Sequence, residues 1–140
     1  MKTKYLGIDF GDKRVGIAIT DFSKEIAFPR DFLLNNDIDQ LVQDIKKICE
    51  ENYISKIIIG LPIQMDGSMG DRVEITKKFG NILQKELSDI EIDYFDERLT
   101  TKTAISSLHS MGIQSRDQKG HRDALSAQII LETYIRKFSL

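Results

Sequence analysis

Residues 4–17 read Lys4-Tyr5-Leu6-Gly7-Ile8-Asp9-Phe10-Gly11-Asp12-Lys13-Arg14-Val15-Gly16-Ile17, and this stretch decides the fold. Lys4 to Phe10 is rich in β-branched and aromatic residues, which predicts a strand. Gly11 to Arg14 is a turn-like break, and Val15 to Thr20 alternates apolar and small residues, so the two runs form a hairpin. Asp9 sits inside or at the end of the first strand, in phase with Tyr5 and Gly7. A carboxylate so close to a core is costly unless it is paired, hydrogen-bonded or bound to metal.

Working outward, Glu25 to Leu34 supplies a third strand. Pro29 lacks an N–H, which places that strand at an edge or kinks it. Asp37 caps a helix in which Ile38, Leu41, Val42, Ile45, Ile48 and Cys49 fall at helical spacing. Lys56 to Gly60 is short and apolar without alternation, as in a parallel strand buried on both faces. Pro62 to Gly70 is a loop with an Asp66-Gly67 turn and little to hold it rigid, a mobile flap in this reading. Asp71 to Leu87 is a second helix with Val73, Phe79, Ile82, Leu83 and Leu87 mainly inward, and Ile90 to Phe95 is another strand. Thr100 or Thr101 caps a helix running to Met111 and stopped by Gly112. Gln114 to Gly120 is a polar, basic loop, and the last helix runs from about Arg122 to Lys137. The order β-β-β-α-β-α-β-α-α specifies an α/β fold, a mixed five-stranded sheet with helices packed on it.

The 140 residues suit one domain, 1–140, with 41% hydrophobic residues to build its core. Twenty Lys and Arg against twenty-two Asp and Glu give a net charge of −2. That is not the strongly basic balance that announces a nucleic-acid binder, so any such activity must come from local placement of charge. The one cysteine, Cys49, excludes an internal disulfide and a Cys-based zinc site. The apolar stretch after Lys2 and Lys4 is cut by Asp9, unlike a signal peptide. Ile57 to Ile63 falls far short of the roughly 20 residues of a membrane helix. These features indicate a soluble, cytoplasmic protein with no membrane partner.

Three acids border apolar sequence: Asp9, the Asp96-Glu97-Arg98 group that closes the strand from Ile90, and Asp123 at the start of the last helix. Converging at one end of a sheet, they suit metal-dependent phosphodiester hydrolysis. Mg²⁺ or Mn²⁺ prefers a few carboxylate oxygens together with phosphate and water. Two ions about 3.5–4 Å apart activate a water and stabilise the leaving oxygen. Without metal the carboxylates repel one another, which raises at least one pKa. Taken singly, each acid reads more readily as a strand-end or helix-cap residue in a salt bridge.

Four blocks carry a resemblance. They are Leu6-Gly7-Ile8-Asp9-Phe10-Gly11 through Arg14-Val15-Gly16-Ile17-Ala18 and Thr20-Asp21; Ile59-Gly60-Leu61-Pro62 with Met65-Asp66-Gly67-Ser68; Asp96-Glu97-Arg98-Leu99-Thr100-Thr101; and Asp123-Ala124-Leu125-Ser126-Ala127. In this order, over nearly the whole chain, they resemble the YqgF (RuvX) family. The resemblance implies a ribonuclease-H-like fold related to Holliday-junction resolvases. It also implies a nuclease that matures the 5′ end of pre-16S ribosomal RNA, acting on RNA or ribosomal precursor particles as a monomer or homodimer. The family's acidic triad maps onto Asp9, Glu97 and Asp123, which would be both catalytic and metal-binding, with Asp9 holding both ions. Ser126 stands where alanine is usual. No second acid in the first turns of the last helix matches the fourth carboxylate of true junction resolvases.

Gly11, Arg14, Arg98, Lys119 and Arg122 lie in or near these blocks and are candidate substrate contacts, since arginine grips phosphate bidentately. Gly7 and Gly11 flank Asp9 and leave room for a close approach, although turn and sheet packing ask for the same residues. Arg98 has an alternative partner in Asp96, and Lys102 and Arg116 read as solvated charge. His109 and His121 lack the spacing of metal ligands, and Tyr134, Ile135 and Phe138 read as core contacts of the last helix. Two other classes compete. A strand-Asp-Gly-turn-strand opening also occurs in actin-like and sugar-kinase ATPases, but those need two related domains around a cleft. A non-catalytic nucleic-acid or ribosome-binding module would gain nothing from three acids facing phosphate. A junction-cutting DNA endonuclease is the nearest alternative within the nuclease class.

Overall fold

The computed structural model describes residues 2–64, 66–99 and 119–138, the last segment without the side chains of 119–123. The strands are β1 (Lys4–Phe10), β2 (Arg14–Thr20), β3 (Ala27–Leu34), β4 (Ile54–Leu61) and β5 (Glu91–Asp96). The helices are α1 (Ile38–Glu51), α2 (Asp71–Glu86) and α3 (Lys119–Phe138), with a 3-10 turn over Glu97–Leu99. One five-stranded sheet has the order β3-β2-β1-β4-β5. The hairpin partners are antiparallel, whereas β4 runs parallel to both β1 and β5. The helix expected over 100–111 lies outside the described residues.

The hairpin forms where the sequence placed it, with Leu6 opposite Ile19 and Asp9 opposite Gly16. Gly11 sits in its turn, donating its N–H to the Arg14 carbonyl at 3.0 Å. A Cβ there would overlap that same carbonyl, so the turn requires glycine. β3 is an edge strand, as Pro29 demands, and a register shift between Val15 and Ile17 gives it one extra residue. α1 starts at its expected cap, where the Asp37 side chain accepts from the Asp39 N–H at 3.0 Å.

Two cores flank the sheet. Leu6, Ile8 and Phe10 of β1, with Ile57 and Ile59 of β4, pack under α1 and α2. Ile58, Ala18 and Phe95 pack under Ala127, Ile130, Leu131 and Tyr134 of α3. Ile57, Ile58 and Ile59 are fully buried, which explains the unbroken apolar run of β4: neither face meets water.

Four expectations need correction. Lys119 and Gly120 begin the last helix rather than ending a loop. Ile82 faces outward, its inward place in α2 taken by Thr76 and Gly80. Thr76 is tolerated there because its hydroxyl donates to the Arg72 carbonyl one turn back. Phe138 is exposed, with its ring against that of Tyr134. The loop after β4 is braced from within: Gly67 N–H donates to Gln64 O at 2.8 Å and Ser68 N–H to the Asp66 carboxylate at 2.8 Å.

Candidate active site

Side chains alternate along β1. Leu6, Ile8 and Phe10 point toward α1 and α2, so Tyr5, Gly7 and Asp9 point toward α3. Gly7 lets that helix settle onto the strand: a Cβ there would lie 2.9 Å from Leu131 Cβ and 3.0 Å from the Ala127 carbonyl. The glycine two residues before Asp9 is therefore used for sheet–helix packing. It sets the height of α3 over the end of β1.

Glu97 reaches Asp9 from two strands away. β5 ends at Asp96, and Glu97 opens the 3-10 turn that follows. Its side chain then lies across β4 at Gly60, where a Cβ would come within 3.0 Å of both Cγ and Cδ of Glu97. The same Cβ would lie 2.7 Å from Ile130 Cδ1 on α3. A strand with any side chain at position 60 would hold Glu97 away from β1. The two carboxyl groups meet in a hydrogen bond, and Glu97 is pushed up to about 8. Burial is the main cause, followed by the Asp9 charge and that shared hydrogen bond.

The turn carrying Glu97 is fixed by its neighbours. Arg98 donates its backbone N–H to Asp96 at 2.9 Å, and its guanidinium returns to the same carboxylate at 2.9 and 2.6 Å. This pair holds Asp96 below the usual carboxylate range. Of the candidate substrate contacts, Arg98 is therefore engaged by Asp96. Arg14 opens β2 opposite Leu34, with the Phe32 ring 5.8 Å away. Gly11 forms the hairpin turn. Lys119, Arg122 and Asp123 lie on the first turns of α3, and their side chains are outside the described part. Asp123 is one helical turn before Ala127, the residue whose carbonyl lies over Gly7.

Arg72 escaped the sequence reading. It stands in the first turn of α2, in the layer on the other side of the sheet, yet its guanidinium reaches the end of β1. There it donates to the Phe10 carbonyl at 3.2 Å and pairs with Asp12. Its charge also opposes the upward displacement of Glu97. The available signal was its place directly after the Gly70-Asp71 break, where a helix starts beside the motif loop.

Among the described residues no group of three or more acidic, His or Cys side chains is placed to hold a metal. Asp9 and Glu97 are nevertheless a fitting donor pair. They are two hard oxygen ligands crowded enough that one keeps its proton, and a divalent cation would replace that proton.

The family described as RuvX, Holliday junction resolvase, matches residues 3–137. A protein of Endomicrobium trichonymphae named "Putative pre-16S rRNA nuclease" is 41% identical, over 94% of both chains. One of the same name from Acetivibrio thermocellus is 37% identical, over 94% of both. Among solved structures, T. thermophilus RuvC in complex with a Holliday junction substrate superposes with a TM-score of 0.59 at 11% identity, covering 98% of this chain and 97% of that one. The yeast mitochondrial Holliday junction resolvase Ydc2 gives 0.60 at 12% identity, covering 96% and 78%. These likenesses show the resolvase-type, ribonuclease-H-like fold.

Proposed function

The chain belongs to the RuvX family, and from that premise we propose that it is a metal-dependent endonuclease hydrolysing phosphodiester bonds in structured RNA, in 5′-end maturation of pre-16S ribosomal RNA. The observation that carries this reading is the approach of Glu97 to Asp9 over Gly60. A structural protein gains nothing from pressing two half-buried carboxyl groups against each other, which costs stability. A nuclease gains a preformed seat for divalent cations.

In this proposal Asp9, Glu97 and Asp123 hold Mg²⁺ or Mn²⁺, which when bound supplies water activation and charge for the leaving oxygen. The chain's own contribution is placement. β1 delivers Asp9 at its end. The Asp96–Arg98 pair locks the turn that aims Glu97. α3, seated on Gly7, brings the Asp123 backbone to the same end of the sheet. Arg14, Lys119 and Arg122 are the proposed contacts to the phosphate backbone, which position a substrate without reading its sequence. Residues 1–140 act as one domain, in the cytoplasm. The described residues contain no helix long and apolar enough to cross a membrane.

The test compares cleavage of a pre-16S RNA fragment and a four-way DNA junction by the wild type and Asp9→Asn, in Mg²⁺ and in Mn²⁺. Cleavage of the RNA by wild type only is the expected result. Equal cutting by the Asn variant removes the assignment of the site. Cleavage of the junction alone replaces RNA maturation with junction resolution. Cleavage of neither favours the binding-module reading.

A further inference from the structure

We propose that Arg72 is a phosphate-binding residue of this site, gripping the nucleic-acid backbone beside the Asp9–Glu97 pair. The inference rests on the nuclease reading above and adds a residue from a different layer of the fold. Arg72 is anchored on the residue that follows Asp9, through the Phe10 carbonyl at 3.2 Å, and on Asp12 in the adjoining turn. A guanidinium carries more N–H groups than these two partners use. The Arg72 side chain is 40% exposed and that of Asp12 77%, so the pair sits at the rim of the site, open to solvent. Exposed ion pairs of this kind are weak, and a phosphate can join or displace the carboxylate. Arginine suits the task because its planar fork matches two phosphate oxygens at once.

A purely structural role, pinning α2 to the end of β1, would explain the same contacts, and the two roles separate by salt. Fluorescence anisotropy measures binding of a 5′-fluorescein RNA spanning the mature 5′ end, in the Asp9→Asn background so that no cleavage intervenes. Each phosphate contact contributes about 0.7 to 0.9 to the slope of log Kd against log salt. Arg72→Met is expected to reduce that slope by about this amount and to weaken binding roughly tenfold, as for loss of a charge-assisted hydrogen bond. Arg72→Lys keeps the charge and hence the slope, but loses the fork. In the otherwise wild-type chain it is expected to cut the RNA about tenfold more slowly.

An Arg72→Met protein with a native circular dichroism spectrum and an unchanged slope overturns the proposal. If the Met variant does not fold, Arg72→Gln, which can still donate to the Phe10 carbonyl but lacks the charge, decides: an unchanged slope overturns the proposal, and a lowered slope supports it. Wild type that binds this RNA but cuts neither substrate would remove the nuclease reading, while a slope lowered in Arg72→Met would still support the phosphate contact.

Discussion

Glu97→Gln should make the metal-free protein more stable, increasingly so as the pH rises. Glu97 ionises at about 8 in the folded chain, against an ordinary value of 4.5. For an acid raised on folding, the folded state holds more protons than the unfolded state between those two values. Stability therefore falls with rising pH across that window, the reverse of an ion-paired carboxylate. Each tenfold step in ionisation that the unfolded chain takes and the folded chain resists costs about 1.4 kcal/mol. Between about pH 5 and pH 8 the cost grows by on the order of 3 kcal/mol. Glutamine at position 97 does not titrate, so the variant lacks this loss. Urea unfolding of both proteins in EDTA, at several pH values across the window, measures the difference. Titrating groups away from the Asp9–Glu97 pair cancel to first order, leaving a gap that widens by about 3 kcal/mol toward pH 8. Saturating Mn²⁺ should narrow the gap by stabilising only the wild type, because binding to the native state alone adds to its stability. Wild-type and variant curves that stay parallel from about pH 5 to pH 8 would refute the close, half-buried carboxyl pair.

Other consequences follow from the same contacts. Gly60→Ala forces a Cβ to within 3.0 Å of Glu97 Cγ and Cδ and 2.7 Å of Ile130 Cδ1; it should cost about 1–3 kcal/mol in urea unfolding and abolish most RNA cleavage even where the protein is fully folded. Gly80→Ala drives a Cβ into the Tyr94 hydroxyl. It should destabilise by a similar ~1–3 kcal/mol while sparing kcat, and Tyr94→Phe in the same chain should recover part of the loss in Tm. Cys49 is buried and its thiol is pushed up to about 12, chiefly by that burial. It should therefore react with a thiol reagent such as DTNB only on unfolding, and rapid labelling of the native protein would contradict the packing of α1.

What could be read from the chain, and what could not, divides along a physical line. Local rules placed the hairpin, the Asp37 cap and the buried strand β4, because each depends on a short run of residues: a turn, a side-chain acceptor, an apolar stretch. Asp9 was legible for the same reason, as an acid out of character in its own strand. The ends of α3 were less legible. Lys119 and Gly120 belong to the helix by hydrogen bonding, yet by composition they resemble the polar segment before them. The packing of Ile82 depends on which face of α2 meets the sheet. Thr76 and Gly80 are turned inward by that choice, although helical spacing alone favours the isoleucine.

The site itself is set by distance relations that no single segment carries. Gly60 reads as the breakable end of a strand, and its actual use is to leave a gap in the middle strand of a parallel triplet. Through that gap an acid on β5 meets an acid on β1. Gly7 acts likewise for α3, so two glycines on neighbouring strands govern how closely the carboxyl-bearing elements converge. The Arg98 guanidinium shows the converse. In a motif segment it invites a phosphate role, and Asp96 claims it because the two residues share one short turn. Arg72, outside every motif block, is the further arginine proposed for such a role. A cation can serve a site of this kind only if its anchor leaves donors pointing outward. Asp96 holds Arg98 along its side, through Nε and Nη2, whereas Phe10 and Asp12 hold Arg72 at its tip, through Nη2 and Nη1. The substrate-facing charge is therefore set by how each arginine is held, and α2 joins the site through its first turn.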